Sequence, residues 1–230
     1  MKTLGLIGGT TWHSTIDYYR IINETVNARL GRAHSAKLLL YSVDFEEFQP
    51  PPDPPGWARI GDAFADIARR LEATGADAIV MCANTAHLFA ETVQAAVKIP
   101  LIHIVDEVAD EIARRGVSTV GLLGTQFTME HPFFKDRLAR RAITTLVPEL
   151  PDRERIHSSI YAELGRGILT AETKAFVLDA IAKLVAQGAN GVILGCTELP
   201  LLIKQADCPV PVLDTTMLHA TAAVDFALRA

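Results

Sequence analysis

Two short segments of the chain each carry a cysteine at the end of an apolar run. The first segment covers residues 75–85 and contains Cys82, and the second covers residues 188–198 and contains Cys196. Small polar residues follow the apolar run in both segments. A thiolate can take a proton from carbon and a thiol can return one, so this arrangement predicts acid/base catalysis on a small substrate.

Cys196 is the stronger candidate for a catalytic role. It is followed by Thr197 and Glu198, where the pattern predicts the start of a helix. The dipole and amide groups of a helix N-terminus lower the pKa of a nearby thiol, so we expect a reactive Cys196. The alternative is a structural cysteine buried on an apolar strand. The repeated segment and the polar neighbours favour the catalytic interpretation.

The first segment offers Asn84 and Thr85, whose short side chains and backbone amides are suited to binding a carboxylate. Cys82 is ambiguous because side chains alternate in direction along a strand. Aligning the two segments places Ala83, not Cys82, opposite Cys196. Cys82 is therefore a second candidate catalytic residue, with a place in the hydrophobic core as the alternative.

Glycine-rich turns follow two further predicted strands. Gly8, Gly9 and Thr10 follow the first strand, and Gly124 and Thr125 follow its repeat. Glycine lets the backbone approach an anion closely. The spacing matches neither the dinucleotide fingerprint nor the P-loop. The threonines favour a small carboxylate or amino acid as ligand, and the alternative is an ordinary strand-to-helix turn.

Short apolar runs alternate with amphipathic segments along the whole chain, which predicts an α/β fold with a mainly parallel sheet flanked by helices. The predicted strands are 3–7, 37–43, 78–82, 101–105, 119–123, 143–147, 191–194 and 210–213. The predicted helices are 14–30, 61–74, 89–97, 106–115, 132–141, 153–164, 171–187 and 217–228.

Three separate segments recur at a nearly constant offset, which predicts two pseudosymmetric α/β domains. We expect residues 1–115 to form the first domain, joined by the C-terminal helix 217–230, and residues 116–216 to form the second. The proline-rich stretch 49–57 is expected to exclude helix and to form a stiff surface loop or a flap over the site.

The composition of the chain argues against several classes of function. The chain has 230 residues, of which 49% are apolar and 21% charged, as in ordinary globular proteins. A net charge of -5 argues against nucleic acid or an acidic membrane as a partner. Three cysteines are too few for a disulfide framework, which favours a reducing, cytoplasmic location. No apolar run approaches the length of a membrane span, and the N-terminus lacks a signal-peptide pattern.

The sequence predicts neither a metal ion nor a cofactor. No pair among His87, His103 and His219 has metal-ligand spacing, and nothing marks a lysine as a Schiff-base residue. Asp44, Asp106 and Asp214 lie near strand ends, where they could orient a thiol or cap helices.

Taken in order over essentially the whole chain, these motifs resemble the aspartate/glutamate racemase family. The most specific segment is Gly-Cys-Thr-Glu at 195–198. The other matching residues are Gly8, Gly9 and Thr10 with Trp12, Ser14 and Thr15, the segment 42–45, Asn84 with Thr85, and the segment 123–125. The resemblance implies a cofactor-independent, PLP-independent amino-acid racemase, forming a homodimer, with its active site in a cleft between two α/β domains.

The resemblance also implies roles for individual residues. Cys196 corresponds to the thiol of the second domain, and a second thiol, for which Cys82 is the available residue, would act on the opposite face of the substrate. The residues implied in substrate binding are Gly8, Thr10, Ala83, Asn84, Thr85, Thr125, Thr197 and Glu198.

The chain departs from the family at one position. The first cysteine of the family stands immediately before Asn-Thr, and here Ala83 occupies that place. Alanine cannot transfer a proton, which leaves two alternatives to a racemase: a single-thiol decarboxylase or isomerase of a dicarboxylic acid, and a non-catalytic amino-acid-binding homologue. Arg166 is a candidate for binding a side-chain carboxylate, with a solvated turn residue as the alternative.

Overall fold

The structure is a computed structural model that describes residues 1–49 and 54–229. The predicted loop or flap at 49–57 therefore lies in part outside the described residues. In the described part, a helix begins at Pro54 and continues through Trp57. The prediction that the prolines exclude helix from this whole stretch was wrong, because proline is tolerated in the first turn, where its missing N–H would have no partner.

Over the described residues the chain forms eight strands and ten α-helices, in regular alternation for most of its length. The strands are β1 (Thr3–Gly8), β2 (Lys37–Ser42), β3 (Ala78–Met81), β4 (Leu101–Ile102), β5 (Thr119–Gly124), β6 (Thr144–Leu146), β7 (Gly191–Gly195) and β8 (Val212–Asp214). The helices are α1 (Trp12–Leu30), α2 (Pro54–Ala73), α3 (Ala90–Ala96), α4 (Ile104–Arg114), α5 (Gln126–Glu130), α6 (Pro132–Ala139), α7 (Leu150–Ala162), α8 (Ala171–Ala186), α9 (Leu199–Leu202) and α10 (Thr215–Leu228).

One unit is built on a parallel sheet with strand order β2-β1-β3-β4. Its two faces are covered by different helices: α1 and α10 on one side, α2 and α3 on the other. Strand β3 shows the alternation directly. Val80 and the following Cys82 point to the α1/α10 side, whereas Ile79 and Met81 point to the α2/α3 side.

The other unit repeats this design with strand order β6-β5-β7-β8, again all parallel. Helices α7, α8 and α9 cover one face of its sheet, and α4 and α6 cover the other. The prediction of two α/β domains, each with a mainly parallel sheet flanked by helices, is confirmed.

The strand registers define which residues of the two units are equivalent. Met81 pairs with Ile7 in the first sheet, and Leu194 pairs with Leu123 in the second. Because β1 and β5 begin the two repeats, Met81 and Leu194 occupy the same place. Counting two residues onward makes Ala83 the equivalent of Cys196, as the aligned sequence segments predict.

The division between the units falls earlier than the predicted boundary after residue 115. The compact units are Met1–His103 with His219–Ala230, and Ile104–Leu218. Helix α4 belongs to the second unit because its apolar face packs in the same cluster as β5 and β7. Helix α10 completes the α1 side of the first sheet.

Two local predictions were also corrected. The strand predicted at 101–105 ends at Ile102, and Ile104 already begins α4. Helix α5 was not predicted. Its signal is Thr125 at the N-cap, whose Oγ1 accepts a hydrogen bond from the Thr128 amide at 3.3 Å.

Within the described parts of the chain, none of the helices combines the length and apolar character that a membrane crossing requires.

Candidate active site

The carboxyl ends of β1 and β3 form one edge of the first sheet. The Cys82 amide donates to the Ile7 carbonyl at 2.9 Å, which fixes the two ends side by side. Gly9 turns the chain after β1 with φ of 89°, and a Cβ there would lie 2.2 Å from the Val43 carbonyl oxygen. Only glycine fits this turn, so the backbone approaches its neighbours more closely than any side chain would allow.

Thr10 follows this glycine with its hydroxyl oxygen buried and without a hydrogen-bond partner in the structure. A buried polar atom of this kind is uncommon in native proteins and often marks a place where a ligand or water binds. Thr10 is thus a candidate contact for a polar substrate group at this edge.

The beginning of α1 is attached to the same edge. The Ser14 hydroxyl donates to the Cys82 carbonyl, and the Gly9 amide donates to Thr15 Oγ1 at 2.8 Å. Both side chains are buried. These bonds fix the position of the glycine turn relative to β3.

The turn after β3 contains Ala83, Asn84 and Thr85. Asn84 is buried and Ala83 half-buried, and a short 3-10 helix, Thr85–Phe89, follows. His87 in this helix contacts the turn through its ring, since Nδ1 donates to the Ala83 carbonyl at 2.9 Å. The structure brings these residues together with Gly8 and Thr10 at one edge of the sheet.

Cys82 lies apart from these polar groups. Its side chain is fully buried, in the same cluster as Leu4, Leu6 and Tyr18 on the α1 side of the sheet. The loss of solvation raises the pKa of this thiol far above its ordinary value. The structure therefore supports a place for Cys82 in the hydrophobic core over a catalytic role.

In the second unit, Cys196 follows the end of β7 and bonds to a carboxylate. Its Sγ donates to Glu198 Oε2 at 2.8 Å, and the Thr197 hydroxyl donates to the same oxygen at 2.7 Å. Cys196 is 7% exposed and Glu198 5% exposed. The structure thus holds a thiol–carboxylate pair in a largely desolvated position.

The expected lowering of the Cys196 pKa is wrong. Burial raises the pKa of this thiol well above its ordinary value, and the negative charge and hydrogen bond of Glu198 raise it further. The backbone amides of Thr197 and Glu198 do lower the pKa, but they do not compensate. Helix α9 spans only Leu199–Leu202, so there is little helix dipole to oppose a neighbouring carboxylate.

Thr125 lies at the carboxyl end of β5, next to this pair. Gly124 pairs with Gly195 across β5 and β7, so Thr125 and Cys196 leave neighbouring strands at the same level. Thr125 is buried, and its Oγ1 lies 3.2 Å from Thr128 Oγ1. The structure places Thr125, Cys196, Thr197 and Glu198 at one edge of the second sheet.

Sequence reasoning missed Tyr161 and His157 on α7. Burial raises the pKa of the Tyr161 phenol, and the charges of Cys196 and Glu198 raise it further, which places Tyr161 in their electrostatic environment. His157 Nδ1 accepts from the Gln126 amide at 3.2 Å, and its ring contacts Tyr161 edge-on at 4.9 Å. The available signal was the four-residue spacing of two ionisable aromatic residues on one predicted helix.

Other predicted candidates have structural roles. Asp214 caps α10 by accepting from the amides of Thr216 and Met217, and Asp44 accepts from the Glu46 amide. Asp106 forms a bidentate ion pair with Arg137 on α6, at 2.6 and 2.7 Å. Arg166 is exposed at the end of a 3-10 turn, which supports the solvated interpretation.

Three histidines predicted near strand ends lie together in the first unit. His87, His103 and His219 are all buried, and the His87 ring contacts the other two with centroids 4.8 and 5.3 Å apart. Across residues 1–49 and 54–229, no group of three or more His, Cys, Asp or Glu side chains is arranged to bind a metal ion.

This cluster predicts acid sensitivity of the first unit. Burial, with a contribution from His87, lowers the pKa of His219 to about 3 from 6.5. Between these values the unfolded chain binds a proton that the folded chain does not. Folding stability should therefore fall as pH decreases through this window, by about 1.4 kcal/mol per pH unit for His219. Urea unfolding at pH 7.5 and pH 5 should show a larger loss in the wild type than in His219→Gln, and equal losses would contradict the prediction.

The family model of the Asp/Glu/Hydantoin racemases matches residues 7–223. The chain belongs to this family. Among solved structures, it is similar to a candidate Asp/Glu racemase from Yersinia pestis, with 45% identity, full coverage of both chains and a TM-score of 0.94. It is also similar to an aspartate racemase homologue from Pyrococcus horikoshii OT3, with 38% identity, full coverage of both chains and a TM-score of 0.89.

One curated relative of the chain is also named as a racemase. The broad specificity amino-acid racemase RacX of Bacillus subtilis (strain 168) is 26% identical over 170 residues, which are 70% of each chain. The resemblance found in the sequence motifs is thereby confirmed at the level of the racemase family.

Proposed function

We propose that this protein is a cofactor-independent racemase or epimerase of an amino acid, with aspartate or glutamate as the substrate. The observation that carries the proposal is the bond of 2.8 Å between Cys196 Sγ and Glu198 Oε2. It gives a member of a racemase family one thiol with its own proton acceptor. Cys196 is the acid/base group that acts at the α-carbon.

The α-proton of an amino acid is a very weak acid, so the developing negative charge must be stabilised on the α-carboxylate. Hydrogen-bond donors fixed in advance contribute about 3–4 kcal/mol each to such stabilisation. Asn84, Thr85 and the backbone amide of Thr10 are the proposed donors of the first unit. Thr125 and Thr197 are those of the second.

The resting protonation state favours proton donation by Cys196. Because its pKa is well above the ordinary value, the sulfur carries a proton that it shares with the Glu198 carboxylate. To remove an α-proton, the thiol first passes its proton to Glu198, and the thiolate then takes the proton from carbon. The C–H electron pair moves into the α-carboxylate, and the reverse steps return the proton.

Glu198→Gln is expected to lower the rate of α-proton removal by about tenfold to a hundredfold, because the amide cannot accept the thiol proton. Deuterium incorporation from D₂O into each enantiomer measures the rate. Glu72→Gln is a matched control, since Glu72 is a carboxylate that binds the Lys98 and Ile99 amides at 2.8 and 3.1 Å. Equal rates in the wild type and Glu198→Gln would argue against the carboxylate as proton acceptor.

Ala83 makes the proposed reaction one-sided, because its methyl group cannot return a proton. The buried, unpartnered hydroxyl of Thr10 or a bound water is the remaining donor for the opposite face. The enzyme should therefore exchange the α-proton of one enantiomer with solvent faster than it inverts that enantiomer.

Incubation of each enantiomer of aspartate and glutamate in D₂O, followed by NMR and chiral chromatography, tests the function. Exchange without matching inversion is the expected result. Equal exchange and inversion from both enantiomers would contradict the one-sided mechanism. Tight binding of an amino acid without any exchange would indicate a binding homologue instead.

A single-thiol decarboxylase of a dicarboxylic acid is the second candidate. The protonated resting state of Cys196 favours it, because a decarboxylase needs only to protonate the carbanion that remains after CO₂ has left. Release of CO₂ from malonate-type acids, with no exchange of amino-acid α-protons, would identify this activity.

The proposed assembly is a homodimer in a reducing, cytoplasmic environment. Support for the environment comes from Cys82, Cys196 and Cys208, all of which are free thiols in the structure. Light scattering coupled to size-exclusion chromatography measures the mass, and a monomer at working concentration would contradict the dimer.

A further inference from the structure

One buried histidine, His87, donates hydrogen bonds to the turn that carries Asn84 and Thr85. His87 makes two bonds to it: the ring Nδ1 donates to the Ala83 carbonyl at 2.9 Å, and the backbone amide donates to the Asn84 carbonyl at 3.1 Å. The side chain is 2% exposed. Two consecutive carbonyls of the turn therefore point toward His87.

Peptide planarity converts this contact into a direction for two amide groups. In a trans peptide the C=O and N–H bonds of one unit point in opposite directions. When the Ala83 carbonyl points toward His87, the Asn84 amide points away from it. The Asn84 carbonyl fixes the Thr85 amide in the same way. The hydrogen bonds of His87 thus fix the directions in which the Asn84 and Thr85 amides point at the edge of the sheet.

The His87 ring is itself held by two other imidazoles. The His103 ring lies 4.8 Å away at the end of β4, and the His219 ring on α10 meets it edge-on at 5.3 Å. His219 has a fixed orientation, because its Nε2 lies 2.7 Å from the Ile102 carbonyl and its Nδ1 lies 2.7 Å from the Tyr18 hydroxyl. With Nε2 donating to the carbonyl, Nδ1 accepts from the tyrosine.

We propose that His87 is a positioning residue for the substrate carboxylate, acting through the Ala83 carbonyl to aim the Asn84 and Thr85 amides. This proposal rests on the proposed function, since it assigns the same turn to carboxylate binding. The corresponding turn of the second unit lacks this histidine. Counting from the equivalent pair Ala83 and Cys196, the counterpart of His87 is Pro200, which restricts the backbone without a side-chain hydrogen bond.

Two substitutions separate the hydrogen bond from the packing. His87→Phe keeps a planar ring but removes the donor, and His87→Asn keeps an N–H donor on the atom bonded to Cγ, as in Nδ1 of the imidazole. We expect His87→Phe to lower kcat/KM for α-proton exchange by about tenfold to a hundredfold, because misdirected amides lose part of their stabilisation. We expect kcat/KM of His87→Asn to lie much closer to the wild-type value.

Val26→Ala is the control for a general loss of stability. Val26 is a fully buried residue of α1 in the same unit, and its truncation weakens the core without touching the turn. Its kcat/KM should equal that of the wild type at a temperature where it remains folded. Equal kcat/KM for His87→Phe and His87→Asn, or a matching loss in Val26→Ala, would overturn the proposal.

A spectroscopic measurement on the wild type covers the case in which His87→Phe does not fold. Long-range proton–nitrogen correlation spectra assign the imidazole tautomers. His87 should carry its proton on Nδ1, and protonation on Nε2 alone would overturn the proposal. This readout does not depend on turnover, so it also separates a failure of the positioning role from a failure of the proposed racemase activity.

Discussion

Cys196→Ala is expected to abolish α-proton exchange, whereas Cys82→Ala should retain most of the wild-type rate. The sulfur of Cys196 is the acid/base group of the proposed mechanism, and a positioned base contributes about 10²- to 10⁴-fold to such a step. Cys82 is enclosed by apolar side chains and its thiol pKa is raised by the loss of solvation. It therefore has no route to a substrate proton.

The two cysteine variants differ in stability as well as in rate. Cys82→Ala leaves a small cavity in a closely packed cluster and should lower the unfolding free energy by about 1–2 kcal/mol. Cys208→Ala is a second control, since Cys208 is a half-buried thiol that follows the 3-10 turn Gln205–Asp207. Deuterium exchange and thermal unfolding of all three variants make the comparison. Similar losses of exchange in Cys196→Ala and Cys82→Ala would show that both thiols act.

Ala83→Cys is expected to raise the rate of inversion by about tenfold to a hundredfold relative to the rate of exchange. Strand register makes residue 83 the equivalent of Cys196, and the side chain is half-buried rather than sealed in the core. A thiol at this position would supply the proton that alanine cannot transfer. The added acid/base group accounts for the expected size of the effect.

Ala86→Cys is the matched control for this substitution. It adds a thiol to the 3-10 segment that follows the turn containing residue 83, at a position that is 7% exposed and not equivalent to Cys196. Chiral chromatography gives the inversion rate, and deuterium incorporation gives the exchange rate. An unchanged ratio in Ala83→Cys would argue against residue 83 as a contact for the substrate. An equal increase of this ratio in Ala83→Cys and Ala86→Cys would show that the effect does not depend on the position of residue 83.

The architecture was largely predictable from the sequence because buried parallel strands appear as continuous apolar runs between helical patterns. The errors occurred where local signals were ambiguous. Ile104 and Val105 extend the apolar run of β4 and have β-branched side chains, which favour a strand. In the structure both residues pack against the second unit, and this packing favours a helix over a strand.

The residues of the candidate site were predicted, but their electrostatics were not. The order Cys-Thr-Glu indicates nearby backbone amides, and it does not show that the Glu198 carboxylate folds back onto the thiol at 2.8 Å. The contacts within the histidine cluster could not be predicted from the sequence either. Its members, His87, His103 and His219, are separated widely along the chain and meet only through tertiary packing.

The return of the last helix to the first sheet has a consequence for biosynthesis. Ala220, Ala223 and Val224 fill the α1 side of this sheet, and the Lys2 amide donates to the Ala227 carbonyl at 2.9 Å. These residues are synthesised after the whole of Ile104–Leu218. The first sheet must therefore remain with part of its apolar surface uncovered until the second unit has been synthesised, whereas Ile104–Leu218 can fold as an uninterrupted stretch.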